Sequence, residues 1–354
     1  MHFGIFCLMN QRSSEKEPRQ ILAEAVEQVQ AAETAGFEIA WFAEHHFSNY
    51  SLAPSPLMMV AHVAPTTSTI RLGTGVVVLP LYHPARLLAE IGLADCMSDG
   101  RLILGIGSGY QPFEFERFGL DLSQATDRTL EMLDLLEKGL TENSISYNGK
   151  YIQQADAKIN IRPLQNRKPD IWIAGGNSDL LKRAAVKNYA PIVTGRLFDA
   201  DFLVQQRDYC AQHWSEAGKD PTGMRFSTLG AAHVCDTSTD AHVFADNLRF
   251  QSRLAFQLRH RKEALENGML REEPIPEELS LDQIINNLIV GDVDICVERC
   301  INIIENVRPT PMALYFGVGN VPHSKTMQSI ERFGSEVIPR IEKKLGPLKS
   351  IGNN

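Results

Sequence analysis

A glutamate and two adjacent histidines stand where a strand is expected to end. They belong to the run W-F-A-E-H-H-F at 41–47, in which Glu44, His45 and His46 follow an apolar stretch. An imidazole exchanges protons near neutral pH, so these residue types suit general acid–base catalysis. Successive side chains along a strand point to opposite faces, so one site receives one of the two histidines unless the strand has already ended. The run therefore predicts a single catalytic imidazole.

The spacing argues against a metal site at the same histidines. A zinc site needs at least three protein ligands, and the sequence contains no H-E-x-x-H or similar pattern that would supply a third. The six cysteines are scattered without a C-x-x-C pair, so we expect structural or incidental thiols. No metal site is predicted.

Three glycine-rich segments could hold a flat or phosphorylated ligand. Residues 73–80 read G-T-G-V-V-V-L-P, residues 105–110 read G-I-G-S-G-Y, and residues 174–178 read A-G-G-N-S. Glycine within an apolar strand often marks a close approach of the backbone to a ligand. The second segment departs from the dinucleotide pattern G-x-G-x-x-G, because its third glycine comes one residue early and a polar, bulky stretch is expected after it in place of a helix. The third segment either presents amides to a phosphate or is a tight turn with Ser178 as N-cap.

Strand-like and helix-like segments alternate along almost the whole chain, which predicts βα units around a parallel sheet. The predicted strands are residues 2–8, 38–43, 70–79, 102–106, 170–174, 192–194, 226–235 and 312–318. Eight strand–helix units in 354 residues favour an α/β fold with one closed (β/α)8 TIM barrel over 1–354. A doubly wound open sheet is the alternative.

Two stretches interrupt this alternation and predict insertions after strands four and seven. Residues 142–169 are polar and are expected to form a hairpin, whereas residues 259–288 are highly charged, with two prolines in E-E-P-I-P-E-E-L. Long insertions of the second kind are often active-site lids. A solvated surface segment is an equally good interpretation.

Composition excludes several classes of function. The formal net charge is −8, and no block of five or more Lys or Arg occurs, so binding to nucleic acid is not expected. The N-terminus lacks the basic region and cleavage site of a signal peptide, and no apolar run approaches the ~18 residues of a membrane span. We expect a soluble, cytoplasmic enzyme that acts on a small molecule.

Several motifs together resemble the bacterial luciferase-like family of flavin-dependent monooxygenases. E-H-H-F at 44–47 matches the luciferase α subunit in full, and G-T-G-V-V-V-L-P followed by His83-Pro84-x-Arg86 resembles the family's third strand and next helix. M-S-D-G-R-L at 97–102 and the pattern from Phe333 to Pro339 in the terminal helix also agree. The resemblance covers nearly the whole chain and is strongest over about 35–130.

The resemblance implies a reaction and a cofactor. It implies reduced FMN as co-substrate, which reacts with O2 to give a C4a-peroxyflavin that oxygenates an aldehyde, ketone, sulfonate or similar small molecule. Nothing in the sequence indicates a nicotinamide site, so a separate NAD(P)H:flavin reductase is the expected partner. A homodimer packed through barrel helices is also implied.

The resemblance assigns roles to individual residues. His45 takes the position of the catalytic histidine, and Glu44 would orient it or lie beside the flavin. The resemblance also implies which positions bind the cofactor. Gly75 and Val76 stand where the family has a non-prolyl cis peptide against the flavin ring, and Gly107 and Ser108 follow the next strand, with Gly107 in place of a reactive cysteine. Arg128 matches a phosphate-contacting arginine, and Gly175, Gly176 and Ser178 fall in the phosphate-binding turn.

Departures from the family pattern limit what is implied. Ser108 replaces an arginine that contacts the phosphate, which suits a flavin that arrives reduced and leaves oxidised. Residues 229–234 lack the arginine of sulfonate-oxidising relatives, so we expect a neutral, fairly apolar substrate. His233 lies on this strand and either lines the pocket or is a core histidine. A deazaflavin-dependent hydride-transfer enzyme and a non-catalytic flavin-binding or partner subunit are the alternative functions, because fold alone cannot separate them.

Overall fold

The main feature of the fold is a closed barrel of eight parallel strands. The computed structural model describes residues 1–165, 168–195, 197 and 199–351. The barrel strands are β1 Phe3–Cys7, β2 Ile39–Phe42, β3 Arg71–Thr74, β4 Leu102–Gly107, β5 Asp170–Ala174, β6 Ala190–Thr194, β7 Ser227–Val234 and β8 Met312–Tyr315. Each pairs in parallel with the next, and β8 pairs with β1. The predicted (β/α)8 barrel is confirmed, and the open sheet is excluded.

Helices surround the barrel. They are α1 Pro18–Thr34, α2 Pro56–Val63, α3 Pro84–Met97, α4 Pro112–Arg117, α5 Ala125–Thr141, α6 Ser178–Lys187, α7 Ala200–Glu216, α8 Ser238–His260, α9 Leu281–Asn287, α10 Val293–Val307, α11 His323–Arg332 and α12 Ile338–Leu345, with a π-helical segment at Phe333–Val337. Helix α4 was not predicted, because residues after G-I-G-S-G-Y were expected to be a polar, non-helical stretch.

Alternating strand residues divide into two apolar layers. Trp41 and Trp172 point into the barrel and meet edge to face, with ring centroids 5.9 Å apart. Phe42, which follows Trp41, and Ile171, which precedes Trp172, belong instead to the layer between the barrel and the helices. Successive side chains along a strand point alternately into the barrel and outward to the helices, and this alternation accounts for the two layers. It also decides which residues reach the end of the barrel where the carboxyl ends of the strands meet, called the barrel mouth below.

The third strand is interrupted, contrary to the continuous strand predicted over 70–79. It stops at Thr74, the Gly75–Val76 peptide is cis, and Val77–Val78 pairs separately with β4. Hydrophobic periodicity cannot detect such a break, because the residues on both sides of it are apolar.

The first insertion contains the expected hairpin, Ser144–Asn148 with Gln153–Lys158. Glu131 on α5 holds its turn, since its carboxylate accepts hydrogen bonds from the amides of Lys150, Tyr151 and Ile152 at 2.8–3.0 Å. The hairpin is thereby fixed to α5 beside Arg128, whose guanidinium lies 4.8 Å from the Tyr151 ring centroid.

The second insertion is held by ion pairs and one buried amide. Arg253 on α8 binds Glu278 at 2.7 Å and Glu272 at 2.8 Å, and Arg12 after β1 also binds Glu272 at 3.1 Å. Asn49, in the loop after β2, accepts a hydrogen bond from the Leu270 amide at 2.8 Å. Charge-assisted bonds of this kind are stronger than neutral ones. The insertion is therefore fastened to the loops after β1 and β2 at the barrel mouth.

The backbones of β3 and β4 approach closely at Gly105, and a substitution of this residue tests that packing. A Cβ at this position would overlap the carbonyl oxygen of Thr74, which is backbone and cannot rotate away. We predict that Gly105→Ala destabilises the protein by about 1–3 kcal/mol or more, the cost of overpacking a core. Urea unfolding measures it. Gly223→Ala, where an added Cβ meets no atom within 4 Å, is the control; equal stability of both variants would contradict the packing described here.

Candidate active site

The two histidines after β2 are bound by two different carboxylates. The Nδ1 atom of His45 lies 3.1 Å from Oε1 of Glu114, and the same oxygen accepts the backbone N–H of His46 at 2.7 Å. The ring of His46 instead contacts Glu44, with Nε2 3.0 Å from Oε1. Of the two roles expected for Glu44, that of orienting His45 is contradicted, because Glu114 on α4 binds the His45 ring; the position beside a flavin stays a prediction.

Glu44 fastens the end of β2 to the segment after β3. Its Oε2 accepts hydrogen bonds from the Val78 amide at 3.1 Å and from the Tyr82 hydroxyl at 2.9 Å. Burial raises the pKa of Glu44, and the bonds from His46, Val78 and Tyr82 oppose this rise. Each oxygen of this buried carboxylate has a partner, as a group removed from water requires.

His45 lies among aromatic side chains and keeps one ring nitrogen open. Its ring meets Tyr50 and Tyr110 edge to face at centroid distances of 4.7 and 5.9 Å, and Gln111 Nε2 lies 3.2 Å from Nδ1. The side chain is 13% exposed, and no described residue contacts Nε2 by a hydrogen bond. This nitrogen is the atom that can exchange a proton with a ligand.

His46 has different surroundings. Its ring packs edge to face on Phe118 at 4.9 Å and beside Phe47, and both phenylalanines are exposed. The two rings therefore have separate partners, and the assignment of the catalytic role to one of them stays a prediction.

The segment after β3 meets the end of β4 at Val78, the residue whose amide Glu44 binds. The Gly75–Val76 peptide has the cis conformation that the resemblance implies, and both residues are partly exposed whereas Thr74 and Val77 are buried. A Cβ on Gly107 would lie 2.8 Å from the Val76 side chain, so a larger residue there would require Val76 to shift. Ser108 follows, and its hydroxyl contacts the Gly109 carbonyl at 3.4 Å.

The glycine-rich turn that was predicted to bind a phosphate lies at the N-terminus of α6. Asn177, not Ser178, is the N-cap, and its side chain accepts the amides of Asp179 and Leu180 at 3.1 Å. Asn177 also donates to Thr126 on α5 at 3.1 Å, two residues before Arg128. Gly175 has a φ of +99°, which suits glycine. The structure therefore places Gly175, Gly176 and Ser178 at this turn and joins the turn to α5 at Thr126, whereas the contacts of Arg128 are with Gln124 and Tyr151.

Glu114 and Gln111 were missed by sequence reasoning. Pro112 stands at the first helical position and Glu114 in the first turn of α4, which are usual signs of a helix start. Those signs could have located α4. The contact with His45 could not have been found, since the two residues are 69 positions apart.

His233 is a core histidine and does not line the mouth. Its ring is buried and stacks on Phe244 with centroids 4.6 Å apart and planes 8° from parallel. Burial lowers its pKa to about 4. The core interpretation is the correct one. Among the described residues, no three His, Cys, Asp or Glu side chains are grouped as a metal site would require.

Fold and site define an α/β barrel that has, at the carboxyl ends of its strands, a histidine bound to a buried carboxylate and a glycine-rich turn at a helix N-terminus. The chain belongs to the luciferase-like monooxygenase family, whose model matches residues 1–307. An uncharacterized protein of Sinorhizobium fredii is 40% identical over 347 residues, which cover 98% of this chain and 99% of that protein. The oxygenase component of a flavin-dependent trigonelline monooxygenase from Acinetobacter baylyi is 32% identical over 250 residues, 70% of this chain and 69% of that one.

Solved structures share the fold at lower identity. The oxygenating constituent of 3,6-diketocamphane monooxygenase from Pseudomonas putida, in complex with FMN, has a TM-score of 0.79 at 22% identity and covers 96% of this chain and 98% of that chain. A coenzyme F420-dependent tetrahydromethanopterin reductase from Methanopyrus kandleri has a TM-score of 0.72 at 19% identity, covering 96% and 99%. Within the described ranges, no helix combines the length and apolar character of a membrane span.

His233 generates a prediction about pH. Its pKa is lower in the folded protein, about 4, than the ordinary 6.5, so between these values the unfolded chain binds more protons and stability falls as pH falls. From pH 7 to 5 the loss due to His233 is about 2 kcal/mol. We expect His233→Gln to reduce the pH dependence of the unfolding free energy by that amount. Urea titrations at both pH values measure it, and an unchanged dependence would show that His233 is not buried in its neutral form.

Proposed function

We propose that this chain is the oxygenase component of a two-component flavin monooxygenase. It would take reduced FMN from a separate NAD(P)H:flavin reductase and use O2 to oxygenate a small organic substrate. One observation carries the proposal: Glu114 holds His45 at the barrel mouth, after a strand whose end is joined through Glu44 to Val78, two residues past the partly exposed Gly75–Val76 peptide. The A. baylyi relative, named as an oxygenase component, supports the dependence on a reductase.

The donor groups in this region suit FMN. Arg128 donates a hydrogen bond from Nε to the side-chain oxygen of Gln124 at 3.2 Å, and no described residue accepts one from its terminal nitrogens. Gly176 and Ser178 lie at the N-terminal end of α6, where the helix dipole and backbone amides attract an anion. Together these groups would hold the phosphate, and Gly75, Val76, Gly107 and Ser108 would line the ring. When bound, FMN supplies the reducing electrons for the reaction with O2.

The residues of this chain would orient the reactants and move protons. His45 gives or accepts a proton at Nε2, while Tyr50 and Tyr110 keep its ring in place. Glu44 keeps the end of β2 joined to the segment after β3 through Val78. The second insertion, fastened at the barrel mouth, would exclude water from the site.

The substrate proposal is less specific. Leu229–Val234 carries no Arg or Lys, so we favour a neutral, fairly apolar aldehyde or ketone. Trigonelline, which the name of the A. baylyi relative specifies, belongs in any panel of substrates as a charged comparison. The active form is proposed to be a homodimer.

The reaction is tested with reduced FMN, 18O2 and a panel of aldehydes, ketones and trigonelline. We expect one labelled oxygen atom in the product of at least one compound, and a loss of turnover of roughly 10²- to 10⁴-fold in His45→Ala, the usual contribution of a general acid or base. His46→Ala is the matched comparison. Oxidation of reduced F420 by a carbonyl compound without O2 would overturn the proposal in favour of hydride transfer, and full activity of His45→Ala would remove His45 from the mechanism.

The phosphate assignment has its own test. We predict that Arg128→Ala weakens FMN binding by roughly 10- to 100-fold, the value of a charge-assisted hydrogen bond, and leaves riboflavin binding unchanged because riboflavin has no phosphate. Anaerobic titration of the reduced flavins measures both. Arg86→Ala, an exposed cation paired with Glu90, is the control. An equal loss for riboflavin would contradict the assignment.

A further inference from the structure

We propose that Glu114 is a positioning residue that keeps His45 in the tautomer with its proton on Nδ1, so that the lone pair of Nε2 faces the barrel mouth. The inference deepens the proposed function and rests on it, because it concerns how the histidine assigned to proton transfer is prepared. Its first measurement is made without flavin.

The hydrogen-bond geometry fixes the role of the Glu114 oxygen. Oε1 accepts the backbone N–H of His46 at 2.7 Å, so this atom offers lone pairs whether or not Oε2 carries a proton. The Nδ1 atom of His45 lies 3.1 Å from the same oxygen. A lone pair on Nδ1 would face another lone pair there, whereas an N–H would donate. The contact therefore selects the Nδ1–H form.

The position of Glu114 is fixed by packing on both sides. Phe113 and Phe115, its neighbours on α4, are both fully buried, and the Glu114 side chain itself is 2% exposed. Pro112 fixes the backbone at the start of the helix. A carboxylate held in this way can orient a ring with little cost in side-chain entropy, which a surface carboxylate cannot do.

Gln111 is the second polar neighbour of the His45 ring. Its Nε2 lies 3.2 Å from Nδ1 and 3.1 Å from the Tyr110 hydroxyl, and its buried Oε1 has no hydrogen-bond partner among the described residues. A half-turn of this amide exchanges its oxygen and nitrogen and presents an acceptor to the Nδ1 proton. Glu114 and Gln111 can therefore share that proton.

The adjacent histidine provides an internal comparison. His46 contacts Glu44 through Nε2, the opposite ring nitrogen from the one that His45 uses. The two neighbouring imidazoles are thus bound through different atoms by different carboxylates. A change at Glu114 acts directly on the ring of one of them.

The test is 15N NMR of histidine-labelled protein without flavin, at a pH where imidazole is neutral. The signals of His45 are assigned as those that disappear from the spectrum of His45→Ala. We expect the Nδ1–H pattern for His45 in the wild type. Glu114→Met, similar in volume but without an acceptor, should lose it. Glu114→Gln should keep it, because the backbone N–H of His46 holds the amide oxygen in place. Glu116→Gln, on the exposed side of α4 and paired with Arg261, should resemble the wild type in spectrum and activity.

Three results would overturn the proposal: an Nε2–H tautomer of His45 in the wild type, a retained Nδ1–H tautomer in folded Glu114→Met, or loss of it in Glu114→Gln. The wild-type spectrum decides even if Glu114→Met does not fold. In turnover we expect Glu114→Met to lose roughly 10- to 100-fold in kcat, as for other imidazoles deprived of their orienting partner, and Glu114→Gln to lose less. If the tautomer shifts as expected but His45→Ala keeps full activity, the positioning role stands and the proposed function fails.

Discussion

The carboxylate of Glu44 is the interaction on which the site depends. A buried carboxylate without donors is costly, and this one is stabilised because His46, Val78 and Tyr82 all contact it. Those partners come from the end of β2, from the segment after the cis peptide and from the turn before α3. A single side chain therefore joins the end of β2 to the segment after β3, and the loop between Glu44 and α2 must start from that fixed point.

The orientation of His45 follows from this attachment. Because His46 turns towards Glu44, the preceding side chain points the other way, into the region between Tyr50, Tyr110 and α4. Glu114 then binds both residues, one through its ring and one through its backbone. The two carboxylates and two histidines are paired crosswise, and exchange of the pairs would require the loop to reverse its direction.

The features that were predicted correctly from the sequence are those that depend on residues close together along the chain. The eight strands were found because buried parallel strands are nearly continuous apolar runs, and E-H-H-F was placed at the barrel mouth because it follows such a run. The cis peptide at Gly75–Val76 was predicted only from the resemblance to the family, since nothing in the hydrophobic pattern indicates it. The pairing of Glu114 with His45 depends on the strand order β2–β3–β4, which brings together loops whose residues are 69 positions apart. The cap of α6 was misassigned to Ser178 because both Asn177 and Ser178 are good N-caps and only the backbone turn chooses between them.

The phosphate region bears on whether FMN stays bound. Asn177 already satisfies two amides of the first turn of α6, so fewer of them remain for a phosphate. Ser108, which replaces an arginine of the family, has only a weak contact with its own neighbour. Arg128 is held by Gln124 and by the Tyr151 ring, which keeps one cation in place without adding another. Under the proposed function, such a site would favour recognition of the phosphate over very tight binding. That balance would suit the proposed role of FMN as a co-substrate, which enters reduced and leaves oxidised in every turnover.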